Sequence, residues 1–295
     1  TSVPAGRYRV VSAGYRSTCA LRVSGRAMCW GWNTGQSVRA PRGRFVQIAA
    51  GKEHACALRR GGRLVCWGAH TGRPIAAPQG RYAQISAGET ANCAVRRSGG
   101  IACWGRSYAG ETAAPSLRRS QYVQASSGEG QACALSSLGR VACWGDDRPA
   151  ATPPGRLRQV TTERGTTCGL RPSGAVACWG PAGGADGKPP RGRFTQNTLA
   201  RAGEHACALS REALVVCWGA NGAGQLNAPA GRYRDLSAGG AHTCAVRDSG
   251  TIACWGSNAS GESTVPPGRY RAVSAGEHHT CALTQGGQTI CWGTF

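Results

Sequence analysis

Apolar and polar positions alternate along this chain in short runs, and Gly-containing turns cut each run off within four to eight residues. One pattern keeps recurring. An aromatic residue or Leu follows Gly-Arg and opens an alternating run that ends in Ala-Gly. Then come a Cys-Ala-Leu run, a Ser-Gly or Gly-Gly turn, and a run ending in Cys-Trp-Gly. Period-two alternation bounded by glycine marks half-buried β-strands. The 45 Gly and 15 Pro are spread too evenly for long helices, and no apolar stretch reaches the length of a membrane span. An all-β protein is predicted.

The pattern is a repeat. Cysteines fall in pairs at Cys19/Cys29, Cys56/Cys66, Cys93/Cys103, Cys133/Cys143, Cys168/Cys178, Cys207/Cys217, Cys244/Cys254 and Cys281/Cys291, always ten residues apart and always with Trp-Gly after the second. Successive first cysteines lie 35 to 40 residues apart, room for four short strands with tight turns. One such sheet cannot bury both its faces alone, so units of this size stack, commonly as the blades of a propeller. After Trp292 the chain stops where every other unit runs on into a Pro-x-Gly-Arg segment. Its counterpart stands at the other end, where Thr1-Ser-Val-Pro-Ala-Gly-Arg-Tyr-Arg9 parallels Ser263-Thr-Val-Pro-Pro-Gly-Arg-Tyr-Arg271. The expectation is one domain over residues 1–295, a single closed β-propeller of eight four-stranded blades. The N-terminal segment would complete the last blade, with residues 1–14 pairing against 281–295.

The segment Trp218-Gly-Ala-Asn221-Gly-Ala-Gly224-Gln225-Leu226 and the His-Thr-Cys-Ala-Val run from His242 resemble the repeat of the regulator of chromosome condensation superfamily, and the likeness runs along the whole chain. The short repeat and the order Pro-x-Gly, Ala-Gly, Cys-Ala-Leu are more similar to the bacterial secreted branch, which includes β-lactamase inhibitor protein II. The resemblance implies a propeller and says little of function, because the superfamily covers nucleotide exchange, chromatin docking and enzyme inhibition. Eight Cys pairs depart from the seven blades usual among its members.

Within each unit the two cysteines flank one turn, which sets them opposite each other on antiparallel strands. Non-hydrogen-bonded pairs there bring Cα atoms to about 4.5 Å, at the short end of disulfide geometry. Eight cross-strand bridges are expected, one per blade. Each such loop contributes roughly 2 to 3 kcal/mol on the chain-entropy account. Two other readings stand beside this one. Zinc would need close Cys or His pairs converging from two turns, and the chain has none. Buried free thiols would suit a cytosolic repeat. Sixteen Cys with one Met favours an oxidising compartment, and no basic, apolar leader opens the chain at Thr1. A mature secreted, periplasmic or surface protein is expected.

Charge is the main functional signal. The chain carries +21, with 33 Arg and only 2 Lys. In a four-stranded blade the hairpin tips between paired cysteines and the Pro-x-Gly-Arg connections share one end, face A. The Ala-Gly-x-x-His and Asn-x-x-Gly-Gln turns share the other, face B. Face A then holds twenty-two Arg against Glu212 and Asp248, whereas face B is slightly acidic. The candidate anion-binding residues are Arg22, Arg59, Arg60, Arg96 and Arg97 on the tips, and Arg7, Arg44, Arg81, Arg156, Arg193, Arg232 and Arg269 on the connections. Guanidinium suits bidentate contact with phosphate, sulfate or carboxylate, and a one-sided field speeds encounter with polyanions. The competing reading makes Arg a scaffold residue whose stem stacks on the neighbouring Tyr or Phe.

Aromatics narrow the binding mode. Eight of the nine Trp fall in Cys-Trp-Gly, and Tyr8, Phe45, Tyr82, Tyr122, Phe194, Tyr233 and Tyr270 recur at one place in the repeat, after Arg in all but Tyr122, so both sets are predicted core. Trp32, Tyr15, Tyr108 and Phe295 are left over, outside the face A loops. Tyr15 and Trp32, on face B, form the candidate protein contact. His54, His205, His242 and His279 recur two residues before a Cys and are read as turn residues. No Ser, Thr or carboxylate stands at a fixed offset from them, so they support no hydrolytic site. No catalytic, metal or cofactor residue is assigned. The expected function is non-enzymatic docking of an anionic macromolecule on face A: an acidic protein, a polysaccharide, lipid head groups or nucleic acid. Two readings stand open beside it, a specific protein-binding or inhibitory module acting through Trp32, and an accessory subunit that stacks face to face in an extracellular assembly.

Overall fold

The computed structural model describes residues 3–32, 38–70, 73–107, 109–115, 121–145, 152–180, 189–199 and 205–295. Among them the chain forms eight antiparallel sheets, one per repeat, seven of three strands and one of four. Unit one is Tyr8–Ala13, Ser17–Arg22 and Ala27–Gly31. Unit eight is Tyr270–Ala275, His279–Thr284 and Thr289–Gly293.

The four-stranded blade is therefore corrected to three strands. The segment expected to supply the fourth carries Pro41, Pro78, Pro154, Pro229 and Pro266, and proline offers no N–H to a ladder. Among the described residues only unit two has such a strand, Arg73–Pro74, paired with Ala69 and His70. Elsewhere side chains hold the returning segment. The indole N–H groups of Trp144, Trp255 and Trp292 donate to the carbonyls of Glu111, Gln225 and Glu262, each on the return of the preceding unit, at 2.8–2.9 Å.

The closed propeller with a shared last blade is corrected as well. Tyr8–Ala13 pairs with Ser17–Arg22 of its own unit, and the last sheet is complete with strands from its own repeat. A turn of three residues, 14–16, closes the first hairpin, and so short a loop costs far less chain entropy than pairing across the whole sequence. Among the described residues no sheet closes on itself, and no strand pairing joins one unit to the next.

Side chains make the joints instead, because each middle strand buries both of its faces. Cys19 and Leu21 of unit one pack with Phe45, Ile48, Ala57 and Trp67 of unit two. Cys281 and Leu283 of unit eight pack in the same way with Tyr8, Ala20 and Trp30 of unit one. The predicted core aromatics lie in these seams: all eight motif Trp are buried, as are the seven aromatics at the start of the first strands. Tyr8 and Trp30 meet at a tilt with ring centres 6.1 Å apart, a favourable arrangement of two quadrupoles.

All eight expected disulfides are present: Cys19–Cys29, Cys56–Cys66, Cys93–Cys103, Cys133–Cys143, Cys168–Cys178, Cys207–Cys217, Cys244–Cys254 and Cys281–Cys291, their Cα atoms 4.0–4.1 Å apart. In every unit the two cysteines stand directly opposite, as Cys19 faces Cys29 and Cys281 faces Cys291. Sequence spacing treats the two members of a pair alike, but the structure separates them. The first cysteine lies on the middle strand and is fully buried. Its partner lies on the outer strand, so Cys29, Cys66, Cys103, Cys143, Cys178, Cys217, Cys254 and Cys291 are only half-buried. Each still packs against the seam toward the next unit, as Cys66 does beside Tyr82 and Cys103 beside Tyr122. So many bridges in one chain point to an oxidising compartment.

Candidate functional site

Connections run against hairpin tips. The Phe45 N–H donates to the Gly25 carbonyl at 2.7 Å, Tyr82 N–H to that of Gly62 at 2.8 Å, and Arg7 Nε to that of Gly286 at 3.0 Å. Of the candidate arginines, Arg7, Arg44, Arg60, Arg81, Arg97, Arg156, Arg193, Arg232 and Arg269 are exposed.

Arg22, Arg59 and Arg96 are half-buried and belong to the scaffold. Their guanidinium carbons stand 5.8, 5.3 and 5.2 Å from the ring centres of Tyr8, Phe45 and Tyr82. They also donate to the carbonyls of Ala5, Arg42 and Gln79 at 2.6, 3.2 and 3.2 Å. Arg171 and Arg247 repeat the carbonyl contact at Pro154 and Ala230. The stacking expected of the arginine after Gly is thus made by the arginine that closes the middle strand.

Among the outward set, Arg97 donates to the Arg60 carbonyl at 2.8 Å, joining two neighbouring tips. Arg232 meets Asp248 at 3.2 Å, an exposed pair of small energetic weight. A groove of about 540 Å³ lined by Arg63, Leu64, Gln79 and Arg81 opens between the tip of unit two and the connection of unit three.

Face B carries two features. Glu89 of unit three, 1 % exposed, accepts from Lys52 of unit two at 3.3 Å and from Arg164 of unit five at 3.2 Å. Arg164 also meets Glu129 of unit four at 2.9 Å, so four units are tied at one point. Its backbone is left-handed, φ 37°, a strain the ion pairs help to hold.

Beside this cluster lies a cleft of about 230 Å³ lined by Tyr15, Arg16, Trp32, Lys52 and Glu53. The structure brings the two expected residues together there. Trp32 is 51 % exposed, and Arg16 stands 5.2 Å from its ring centre and 5.8 Å from that of Tyr15. Lys52 lies 4.8 Å from the Tyr15 ring centre. Sequence reasoning missed both cations. Their signal was positional, since Arg16 and Lys52 occupy the same short loop in consecutive repeats.

The repeated histidines are not turn residues. Each opens a middle strand, is fully buried, and sets Nε2 on the next unit: His54 on Asn92 Oδ1 at 2.7 Å, and His205, His242 and His279 on the hydroxyls of Thr243, Thr280 and Thr18 at 2.8 Å. Gln131 takes the same place in unit four, accepting from Thr167 at 3.4 Å. Burial, with His242 nearby, pulls His205 down to about 4, and burial does the same to His242. His205 and His242 are therefore neutral seam residues. The buried Glu262 is likewise committed to its loop, accepting from Ser257 at 2.5 Å and the Ser260 N–H at 2.7 Å. Tyr108 and the side chain of His70 lie outside the described residues.

Disulfide-stapled sheets that pack through seams and display loops at both ends define a propeller-like repeat protein. The regulator of chromosome condensation (RCC1) repeat matches residues 9–35, 45–71, 233–262 and 270–294, so these four segments are repeats of that kind. No curated protein matches it by sequence. Among solved structures it is similar to the ectodomain of the Physcomitrella patens receptor kinase CR4, at 22% identity and a TM-score of 0.66, over 98% of this chain and 74% of that one. It is similar to the CRINKLY WD40 ectodomain of the Arabidopsis thaliana receptor kinase ACR4, at 21% identity, a TM-score of 0.62 and coverage of 98% and 96%. Human WBSCR16 aligns at 15% identity, a TM-score of 0.65 and coverage of 95% and 88%. At such identities the likeness shows the fold.

Proposed function

We propose that this protein is a non-catalytic binding module, secreted or displayed at a cell surface, that docks an acidic protein on its arginine-rich face A. One observation supports the reading: nine candidate arginines of the hairpin tips and connections are exposed, and among the described residues only Arg232 of the nine is in an ion pair. A field of one sign steers an acidic partner and selects against basic ones. The eight disulfides support export, and the repeat superfamily supports protein binding as the mode. A second reading rests on the cleft at Trp32, a half-exposed indole beside a second aromatic, the kind of anchor protein interfaces use.

One experiment separates the two. Disulfide-intact protein is passed over an immobilised acidic protein and over heparin in a salt gradient. Retention that falls with salt and weakens in R60Q/R97Q/R269Q supports face A. Passage of the wild type through both columns at low salt overturns it. Capture that ignores salt and is lost in Y15A/W32A transfers the function to the cleft.

A further inference from the structure

The first strand of each unit meets that of the next, and unit eight's meets unit one's, so their starts stand around a common axis at the middle of face A. In seven of the eight, pairing slips by one residue after the opening aromatic: Tyr8 faces Arg22, yet Val10 faces Leu21. Such a bulge re-aims the side chain at the extra position. That position is exposed in every unit, and its residues are sorted around the axis.

Units seven, eight and one carry Arg234, Arg271 and Arg9 in succession, and unit five carries Arg158. Units two and four carry Val46 and Val123, 43% and 53% exposed, on either side of Ala83 in unit three. A cationic arc faces an aliphatic one.

The arginines are held in place. Arg234 donates to the Tyr270 carbonyl at 2.6 Å, Arg271 to that of Tyr8 at 2.8 Å and Arg9 to that of Phe45 at 2.7 Å, each in the next unit. Arg158 donates to the carbonyls of Phe194 and Thr195, both at 3.0 Å. In the three-unit arc each guanidinium commits one amino group to these bonds and keeps the rest of its five-donor fork. Among the described residues none of the four is in an ion pair. A fork already fixed loses little rotamer entropy when a carboxylate arrives.

We infer that this collar seats a short peptide segment of a protein partner in which acidic and aliphatic residues adjoin. Carboxylates meet Arg9, Arg234 and Arg271, and aliphatic side chains cover Val46 and Val123. The inference rests on the acidic-partner reading and narrows it to one place and one chemistry. A polysaccharide or nucleic acid fits the collar poorly, because its apolar arc is aliphatic and offers no ring for a sugar or base to stack on.

The test uses full-length, disulfide-bonded protein and two fluorescein-labelled peptides of equal length and charge, one alternating Glu and Leu, the other Glu and Ser, read by fluorescence anisotropy. The Glu-Leu peptide is expected to bind roughly tenfold more tightly, the scale of burying part of two aliphatic side chains. V46T/V123T should erase that preference and leave Glu-Ser binding as it was, and R9Q/R234Q/R271Q should weaken both peptides. Equal affinity of the wild type for the two peptides, or a preference that survives V46T/V123T, overturns the collar while the acidic-partner reading stands. Binding of neither peptide overturns both.

Discussion

His205 and His242 make the seams of units six to eight sensitive to acid, and the size of the effect follows from their surroundings. Both imidazoles are fully buried with Nε2 on Thr243 and Thr280, and burial holds each down to about 4. An exposed imidazole titrates near 6.5. Between those values the unfolded chain binds more protons than the folded one, so stability rises with pH and is lost as pH falls from about 6.5 to about 4. A depression of that extent, at about 1.4 kcal/mol per pH unit, is worth roughly 3 kcal/mol for each histidine. Two together are comparable with much of the net stability of an ordinary domain, about 5–15 kcal/mol.

Glu262 titrates in a different window. Burial alone would raise its carboxyl, but hydrogen bonds from Ser257 and from the backbone at Glu262 and Ser260 outweigh that and hold it below the ordinary value. Its contribution is present above the unfolded carboxyl pKa, about 4.3, and is lost only below it. Softening between pH 6.5 and 4.5 is therefore the histidine signature.

Guanidinium midpoints of disulfide-intact protein at pH 7, 5.5 and 4.5 measure this directly. The informative variant is H205Q/H242Q, patterned on Gln131, which makes the same cross-unit bond to Thr167 without a titrating ring. It should stay within about 1 kcal/mol of the wild type at pH 7, the scale of one hydrogen bond, and lose these histidines' share of the acid sensitivity. A wild-type midpoint that stays put from pH 6.5 to 4.5, or a double variant that softens as steeply as the wild type, refutes the argument.

Two further outcomes follow from the same contacts. A Cβ at Gly276 would stand 2.7 Å from the Gly14 carbonyl oxygen and against the His279 ring, where unit eight meets unit one. G276A should therefore cost about 1–3 kcal/mol in thermal or guanidinium unfolding, and an unchanged midpoint would mean that this seam is loosely packed. Intact mass under denaturing, non-reducing conditions should fall two hydrogens short for each of the eight bridges, with no thiol open to alkylation. Sixteen alkylated thiols in a freshly isolated sample would remove the case for an oxidising compartment.

What could be read from the sequence follows from what alternation and spacing encode. The disulfides were legible because ten residues around one centred turn leave a cross-strand pair little choice of partner. The strand count was not. Ala228 and Val265 on the returning segments pack into the seams as strand residues would, and their neighbouring prolines deny them a ladder. The likeness of residues 1–9 to 263–271 was read as a missing fourth strand. Similarity of repeats says that two segments are the same element, and here that element opens a unit, with Tyr8 paired to its own hairpin.

The charges around the axis were hidden by the same rule that revealed the strands. Strict alternation assigns Arg9, Arg158, Arg234 and Arg271 to strand interiors, where their guanidinium groups would be driven into an apolar seam. A bulge makes Tyr8 and Arg9 share one partner, so the aromatic goes into the core and the cation emerges beside it. A charge buried without a partner is too costly to recur at one phase of a repeat. Arg9, Arg234 and Arg271 at that phase, in runs otherwise made of core residues, were therefore a signal that the strand carries one residue more than its ladder can hold.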